Sequence, residues 1–144
     1  MTSIKHLFRI NASRAKVFEA ISTLKGISGW WTIGTSGDAT LGGFMKFQFG
    51  DMVGPEMKVI EIISNEKITW ECVASPFGWV GNTFTFFLDE NDGKTRVRFS
   101  QDGWTEQGDF YAACSFSWGR YMESLRQLCQ TGKGEAFGSE RYRK

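Results

Sequence analysis

Proline is scarce in this chain of 144 residues, with only Pro55 and Pro76, and histidine scarcer still, with only His6. One imidazole leaves no HxxxH-type spacing for a metal. The cysteines Cys72, Cys114 and Cys129 form an odd set without CxxC spacing, which argues against a zinc knuckle and against a disulfide framework. Reduced thiols in a cytoplasmic protein are the expectation. Neither sign of charge dominates: Lys and Arg number 17, Asp and Glu 16, for a net charge of +1. That balance gives no overall pull toward nucleic acid. No apolar run approaches the roughly 20 residues of a bilayer span, and Met1–His6 lacks the layout of a signal peptide. Branched aliphatics are few as well, with Leu, Val and Ile totalling 21.

Aromatic rings take their place. Phe, Trp and Tyr number 13, 6 and 3, so rings must occupy much of the interior. Large planar side chains bury much area each but tile a core less finely than branched aliphatics. Such an interior is packed by ring contacts or holds a cavity. The length fits one domain with one substantial core.

Alternation and helical spacing place these rings. Ile4–Ile10 alternates as a first strand, with Ile4, His6, Phe8 and Ile10 on one face. Ser13 is an N-cap candidate for a helix over Arg14–Leu24, which Lys25-Gly26 would end. Gly29-Trp30-Trp31 falls in a short second helix or turn. The glycines between Gly34 and Gly43 read as loop leading into a strand. Met45, Phe47 and Phe49 then share a face, and Asp51–Pro55 is turn material. Met57–Ile63 has ambiguous parity that a bulge near Val59-Ile60 would reconcile. Ile68, Trp70 and Cys72 alternate next, then Phe84, Phe86 and Leu88. Asn91-Asp92-Gly93 is a strong hairpin signal, followed by Thr95, Val97 and Phe99. From about Gly108 to Thr131, Tyr111, Cys114, Trp118, Tyr121, Leu125 and Leu128 recur at steps of three and four. That spacing predicts one long amphipathic helix, in which Gly119 suits a close backbone approach. Gly132-Lys133-Gly134 stops it, leaving residues 133–144 as a flexible tail.

Hairpin-length connections make the sheet largely antiparallel, and the long helix can bury its stripe only against one sheet face. The expected class is therefore α+β: about six strands curved around a C-terminal helix, with two short helices after strand 1. The order resembles the helix-grip fold of the START/Bet v 1-like (SRPBCC) superfamily. Within it the chain resembles the branch related to the C-terminal domain of the Hsp90 ATPase activator. The likeness rests on Ile10–Ala20, Trp30-Trp31, Leu41–Phe44 with Val59–Ile62, and Ile68–Trp70 followed by Trp118 through Leu128. It spans roughly Ile4–Thr131 and implies a single domain over residues 1–132. The resemblance implies a hydrophobic cavity under the C-terminal helix, used by ligand binders, some cyclases and self-resistance proteins, and eukaryotic co-chaperones. The co-chaperone proper carries a further N-terminal domain. This chain opens at the first strand, so Hsp90 binding is not expected of it.

The chemistry-bearing residues are sparse. His6 alone on its strand face is a candidate base, yet it assembles no Ser/His/Asp or Cys/His set, and a structural role is favoured. Asp102, Glu106 and Asp109 precede the long helix, where acids favour its dipole. Asp89–Gly93 falls one residue out of calcium-loop register and reads as a hairpin turn. Leu41-Gly42-Gly43 lacks the continuation of a phosphate loop. No catalytic residue, metal ligand or cofactor is assigned.

The candidate site is the inner-face set Trp30, Trp31, Phe47, Phe49, Trp70, Phe84, Phe86, Phe99, Tyr111, Cys114, Trp118 and Tyr121. Taken singly each is a core residue; together they suit a small apolar or aromatic ligand oriented by a few polar groups. Tyr111, Tyr121, Gln48, Glu71 and Glu61 are candidates for those groups. The leading expectation is non-catalytic binding of a small hydrophobic molecule. A protein-interaction module of co-chaperone or homodimer type is the alternative, motivated by Phe77 and Trp79 as exposed loop residues. A polyketide cyclase-like enzyme comes third.

Overall fold

A computed structural model describes residues 1–142. The elements run β1 (Thr2–Ile10), α1 (Arg14–Ser22), α2 (Leu24–Trp30), β2 (Gly34–Gly37), β3 (Phe44–Phe49), β4 (Met52–Ile63), β5 (Lys67–Ala74), β6 (Thr83–Asn91), β7 (Lys94–Trp104) and α3 (Asp109–Thr131). The strands form one curved antiparallel sheet in the order β1-β7-β6-β5-β4-β3-β2. α3 packs across its concave face, which is the helix-grip arrangement. No helix among the described residues is long and apolar enough to cross a membrane.

The helices after β1 are positioned by local chemistry. Ser13 caps α1, its Oγ accepting the Lys16 N–H at 3.2 Å. Thr23 serves two helices at once: its Oγ1 donates to Glu19 O at 2.9 Å and accepts the Gly26 N–H at 3.0 Å. α1 thus ends at Ser22, and Gly26, expected to stop it, lies inside α2. A Cβ at Gly26 would stand 2.6 Å from the Ala20 Cα, so glycine here permits close packing of α1 on α2. That packing carries Trp30 and Trp31 into the core.

The sheet has seven strands where the sequence pattern predicts about six. β2 is a four-residue edge strand rich in glycine, and its pairing with β3 (Gly34↔Gln48 to Gly37↔Met45) comes from tertiary context. β4 starts at Met52, so the segment expected as a turn through Pro55 is strand. The ambiguous parity of Met57–Ile63 resolves as a register shift between Val59 and Glu61, with Met57 and Val59 fully buried and Ile60 exposed.

The chain beyond α3 departs most from expectation. Gly132 closes the helix in the left-handed region (φ +86°), but residues 133–142 do not hang free. The Glu135 N–H donates to Ser124 Oγ at 2.7 Å, the Phe137 N–H to Trp31 O at 2.8 Å, and the Ile33 N–H to Phe137 O at 3.1 Å. Ala136 is fully buried, and Phe137 packs edge-on against Phe49 at 5.4 Å. The segment straps the α2 end of the sheet to α3. Arg143 and Lys144 of the expected tail lie outside the described residues.

Candidate functional site

Inner-face alternation delivers most of the rings to one place, where most of them fill space. Trp30, Trp70, Phe84 and Phe86 are fully buried, and Phe47 and Phe99 nearly so. Trp31 is the hub, with ring centroids 4.4 Å from Phe47, 5.1 Å from Trp118 and 6.2 Å from Trp70. Phe99 meets Trp118 at 4.6 Å and Phe86 at 5.0 Å. Each such pair contributes about 0.5–1.5 kcal/mol beyond its buried area.

One buried polar chain orients this aromatic cluster. Gln101 is fully buried in β7. Its Oε1 accepts the Trp118 Nε1–H at 2.8 Å, and its Nε2 donates to Asn82 Oδ1 at 3.0 Å. The Asn82 amide in turn donates to Gly103 O at 3.3 Å. The chain ties α3 through β7 to the end of the β5–β6 loop, and it fixes which edge of Trp118 faces the sheet.

Space remains between that loop, the β3–β4 end of the sheet and α3. A pocket of about 180 Å³ is lined by Trp31, Phe49, Pro55, Phe77, Trp79, Phe110, Cys114, Ser117, Trp118 and Tyr121. Phe77 and Trp79, expected to be exposed, turn inward. Trp79 is 7% exposed and stacks on Trp118 at 5.9 Å and 18°, while Phe77 meets Trp79 edge-on at 4.9 Å. The loop folds down because two large rings gain more by burial than the short loop gains from solvation. Five of the twelve candidate residues therefore line the pocket: Trp31, Phe49, Cys114, Trp118 and Tyr121. Trp30, Phe47, Trp70, Phe84, Phe86 and Phe99 back it as packed core. Tyr111 faces elsewhere, its hydroxyl donating to Ser3 O at 2.8 Å.

The pocket holds few polar groups. The Tyr121 hydroxyl is pushed well above its ordinary pKa, first by burial and then by Tyr142 beside it. Burial raises the Cys114 thiol, against which the Trp79 indole lies. Trp79 Nε1 is buried without an oxygen or nitrogen acceptor among the described residues. The other polar candidates are outside. Gln48 donates to Gly50 O, Glu61 pairs with Lys67 at 2.8 Å, and Glu71 shares the outer face with Thr69.

His6 lies on the far side of α3, in a shallow groove with Tyr111, Ser115 and Phe116. Its Nε2 is 3.1 Å from Ser115 O, and burial lowers its pKa. Gly119 faces the imidazole rather than a backbone, with His6 Cε1 3.5 Å from where a Cβ would stand. Asp102 accepts from Ser3 and Ser100, and Asp89 from Arg96 and Arg98, so both carboxylates serve the sheet. No cluster of His, Cys, Asp and Glu suited to a metal occurs among the described residues.

A family model described as Activator of Hsp90 ATPase homolog 1-like protein matches residues 11–130. The solution structure of the Aha1 dimer from Colwellia psychrerythraea is 34% identical, covers 93% of this chain and 100% of that chain, and superposes with a TM-score of 0.84. Two more distant structures share the fold. A protein from Staphylococcus saprophyticus is 17% identical over 94% of this chain and 97% of its own (TM-score 0.77). CalU16 from Micromonospora echinospora is 18% identical over 90% of this chain and 77% of its own (TM-score 0.74). No curated protein sequence matches the chain significantly.

Proposed function

The chain belongs to the Activator of Hsp90 ATPase homolog 1-like family, and from that premise we propose that it binds a small, largely apolar, ring-containing molecule without transforming it. The observation that carries this reading is the aromatic pocket of about 180 Å³ beneath the β5–β6 loop and α3. An engineered cavity of about 150 Å³ takes benzene, so this volume suits a ligand of one or two rings rather than a long lipid chain. The rings of Trp31, Phe77, Trp79 and Trp118 offer faces and edges for offset and edge-on contacts. The Trp79 N–H, the Tyr121 hydroxyl and the Ser117 hydroxyl are the groups that would orient a carbonyl or hydroxyl on it. The Tyr121 phenol and the Cys114 thiol are neutral at pH 7 and burial raises both further, so the walls are uncharged, as an apolar ligand requires.

Native mass spectrometry and thermal shift against one-, two- and four-ring aromatics and fatty acids test the proposal. One- or two-ring compounds should raise Tm, and Ser117→Trp, which fills the pocket rim, should abolish the rise. Stabilisation by none of the compounds, or equal stabilisation of the Ser117→Trp variant, would sink it.

A second reading, interaction with a protein partner, draws on the family description and on the dimeric 34% identical relative. On this reading the chain forms a homodimer. Three free, buried thiols suit a reducing cytoplasm for either role.

A further inference from the structure

The aromatic pocket has a second, smaller space beyond one of its ends. Phe110, Cys114, Ser117, Trp118 and Tyr121 line the pocket in their order along α3. The pocket therefore runs with the helix for about 16 Å from Phe110 to Tyr121, at 1.5 Å per residue. Phe110 is 48% exposed, so that end faces solvent. At the other end Ser117 and Tyr121 also line a space of about 40 Å³, which Arg120, Glu135 and Tyr142 complete. Arg120 and Glu135 are both engaged by partners, and the space has room for about three waters. Tyr121 thus forms a partition, with the apolar pocket on one side and a polar recess on the other.

The strap of residues 133–142 backs this end of the pocket. Two successive turns fold it back on itself: the Ser139 N–H donates to Ala136 O at 3.0 Å, and the Tyr142 N–H to Ser139 O at 3.2 Å. The turns bring Tyr142 edge-on to the Phe137 ring, with centroids 4.9 Å apart. Tyr142 also stands beside the Tyr121 hydroxyl. Phe137 in turn packs on Phe49 at 5.4 Å, and its N–H donates to Trp31 O at 2.8 Å. Three lining residues, Trp31, Phe49 and Tyr121, therefore rest against the strap. On the pocket side Tyr121 has a looser ring neighbour, Trp118, edge-on at 6.4 Å.

We infer that Tyr121 is the end wall of the pocket and that the Tyr142 ring is the positioning group that props it, so that the strap sets the length of molecule the pocket accepts. The inference rests on the ligand-binding reading above and adds a size limit to it. Without the Tyr142 ring, Tyr121 can turn into the vacated place, and the apolar pocket then continues into the recess. A ligand that grows along the pocket gains about fourfold in affinity for each methylene it buries. The gain stops at the chain length that fills the space up to the wall.

Affinities of the full chain for n-alkylbenzenes from ethylbenzene to hexylbenzene, read from tryptophan fluorescence, test this. In the wild type Kd should fall by about fourfold per added methylene and then stop falling at one chain length, the break. Tyr142→Ala should keep the wild-type affinity for ethylbenzene and move the break to a longer chain. Tyr142→Phe retains the ring and should leave the break in place, as should Glu140→Ala at an exposed strap position. Tyr121→Ala deletes the wall itself and should move the break at least as far as Tyr142→Ala; it decides the matter if Tyr142→Ala does not fold. A wild type that binds no alkylbenzene overturns the ligand-binding reading and the inference together. Binding by a wild type without a break, or an unmoved break in either folded alanine variant, overturns the inference and leaves the binding reading standing. A break moved as far in Tyr142→Phe or Glu140→Ala as in Tyr142→Ala does the same.

Discussion

Replacing Gln101 with Leu removes the buried polar chain that joins α3, β7 and the β5–β6 loop while keeping nearly the same volume. Two groups lose their partner, the Trp118 Nε1–H at 2.8 Å and the Asn82 Oδ1 at 3.0 Å. Both sit where the surroundings are buried, so water cannot replace the lost amide. Each orphaned group costs about 1–3 kcal/mol, or about 2–6 kcal/mol together. With about 3 °C per kcal/mol for a chain of this length, Tm should fall by roughly 6–18 °C. Stability alone does not isolate the bond, so a double-mutant cycle with Trp118→Phe, followed by urea unfolding, is the assay. Phenylalanine removes the Trp118 donor, so replacing Gln101 as well orphans only the Asn82 Oδ1. The double variant should therefore cost less than the two singles added, by about 1–3 kcal/mol. Costs that add to within about 0.5 kcal/mol would refute the coupling, since independent sites add to that precision.

Three further outcomes follow from the geometry. Arg96 and Arg98 hold the Asp89 carboxyl down to about 2, below its unfolded value. Stability from this pair is thus present above about pH 4 and lost as pH falls through about 2; urea midpoints from pH 5 to pH 2 should slope less in Asp89→Asn. Burial pushes the Cys72 and Cys129 thiols up to about 11. In native protein at pH 7.5 all three cysteines should react with a thiol reagent far more slowly than in urea, and a fast native thiol would contradict the burial. Ala136→Asp places a charge at a fully buried position of the strap and should cost several kcal/mol. Glu140→Ala, at an exposed position of the same segment, should change the unfolding midpoint little, and equal midpoints for the two variants would mean that the strap is not docked.

What could be read in the sequence was whatever repeats along it. Alternation placed Phe47, Trp70, Phe84, Phe86 and Phe99 on the inner face, and steps of three and four placed Cys114, Trp118 and Tyr121 beneath α3. Periodicity says which way a side chain points but not how much space it finds there. Trp31 nests within 5.1 Å of both Phe47 and Trp118, so rings expected to line a cavity mostly close it. Phe77 and Trp79 sit in a loop without periodicity, and their inward turn depends on the Trp118 face that receives them. The strap is illegible for a similar reason. Ala136 and Phe137 carry no helical or strand pattern, and their burial comes from backbone hydrogen bonds to Trp31 and Ile33, more than a hundred residues earlier. The four residues of β2, two of them glycine, would not pair without β3 alongside.

The claim that a ligand occupies the pocket beneath the β5–β6 loop is tested most directly by the indole N–H signals of the protein in an NMR titration. Six tryptophans give six reporters. Trp31, Trp79 and Trp118 line the pocket, whereas Trp30 donates to Ala20 O at 2.9 Å within the core behind it. A one- or two-ring aromatic compound should shift the signals of Trp79, Trp118 and Trp31 saturably while Trp30 and Trp104 stay in place. No saturable shift with any such compound, or shifts confined to Trp104, would contradict the account.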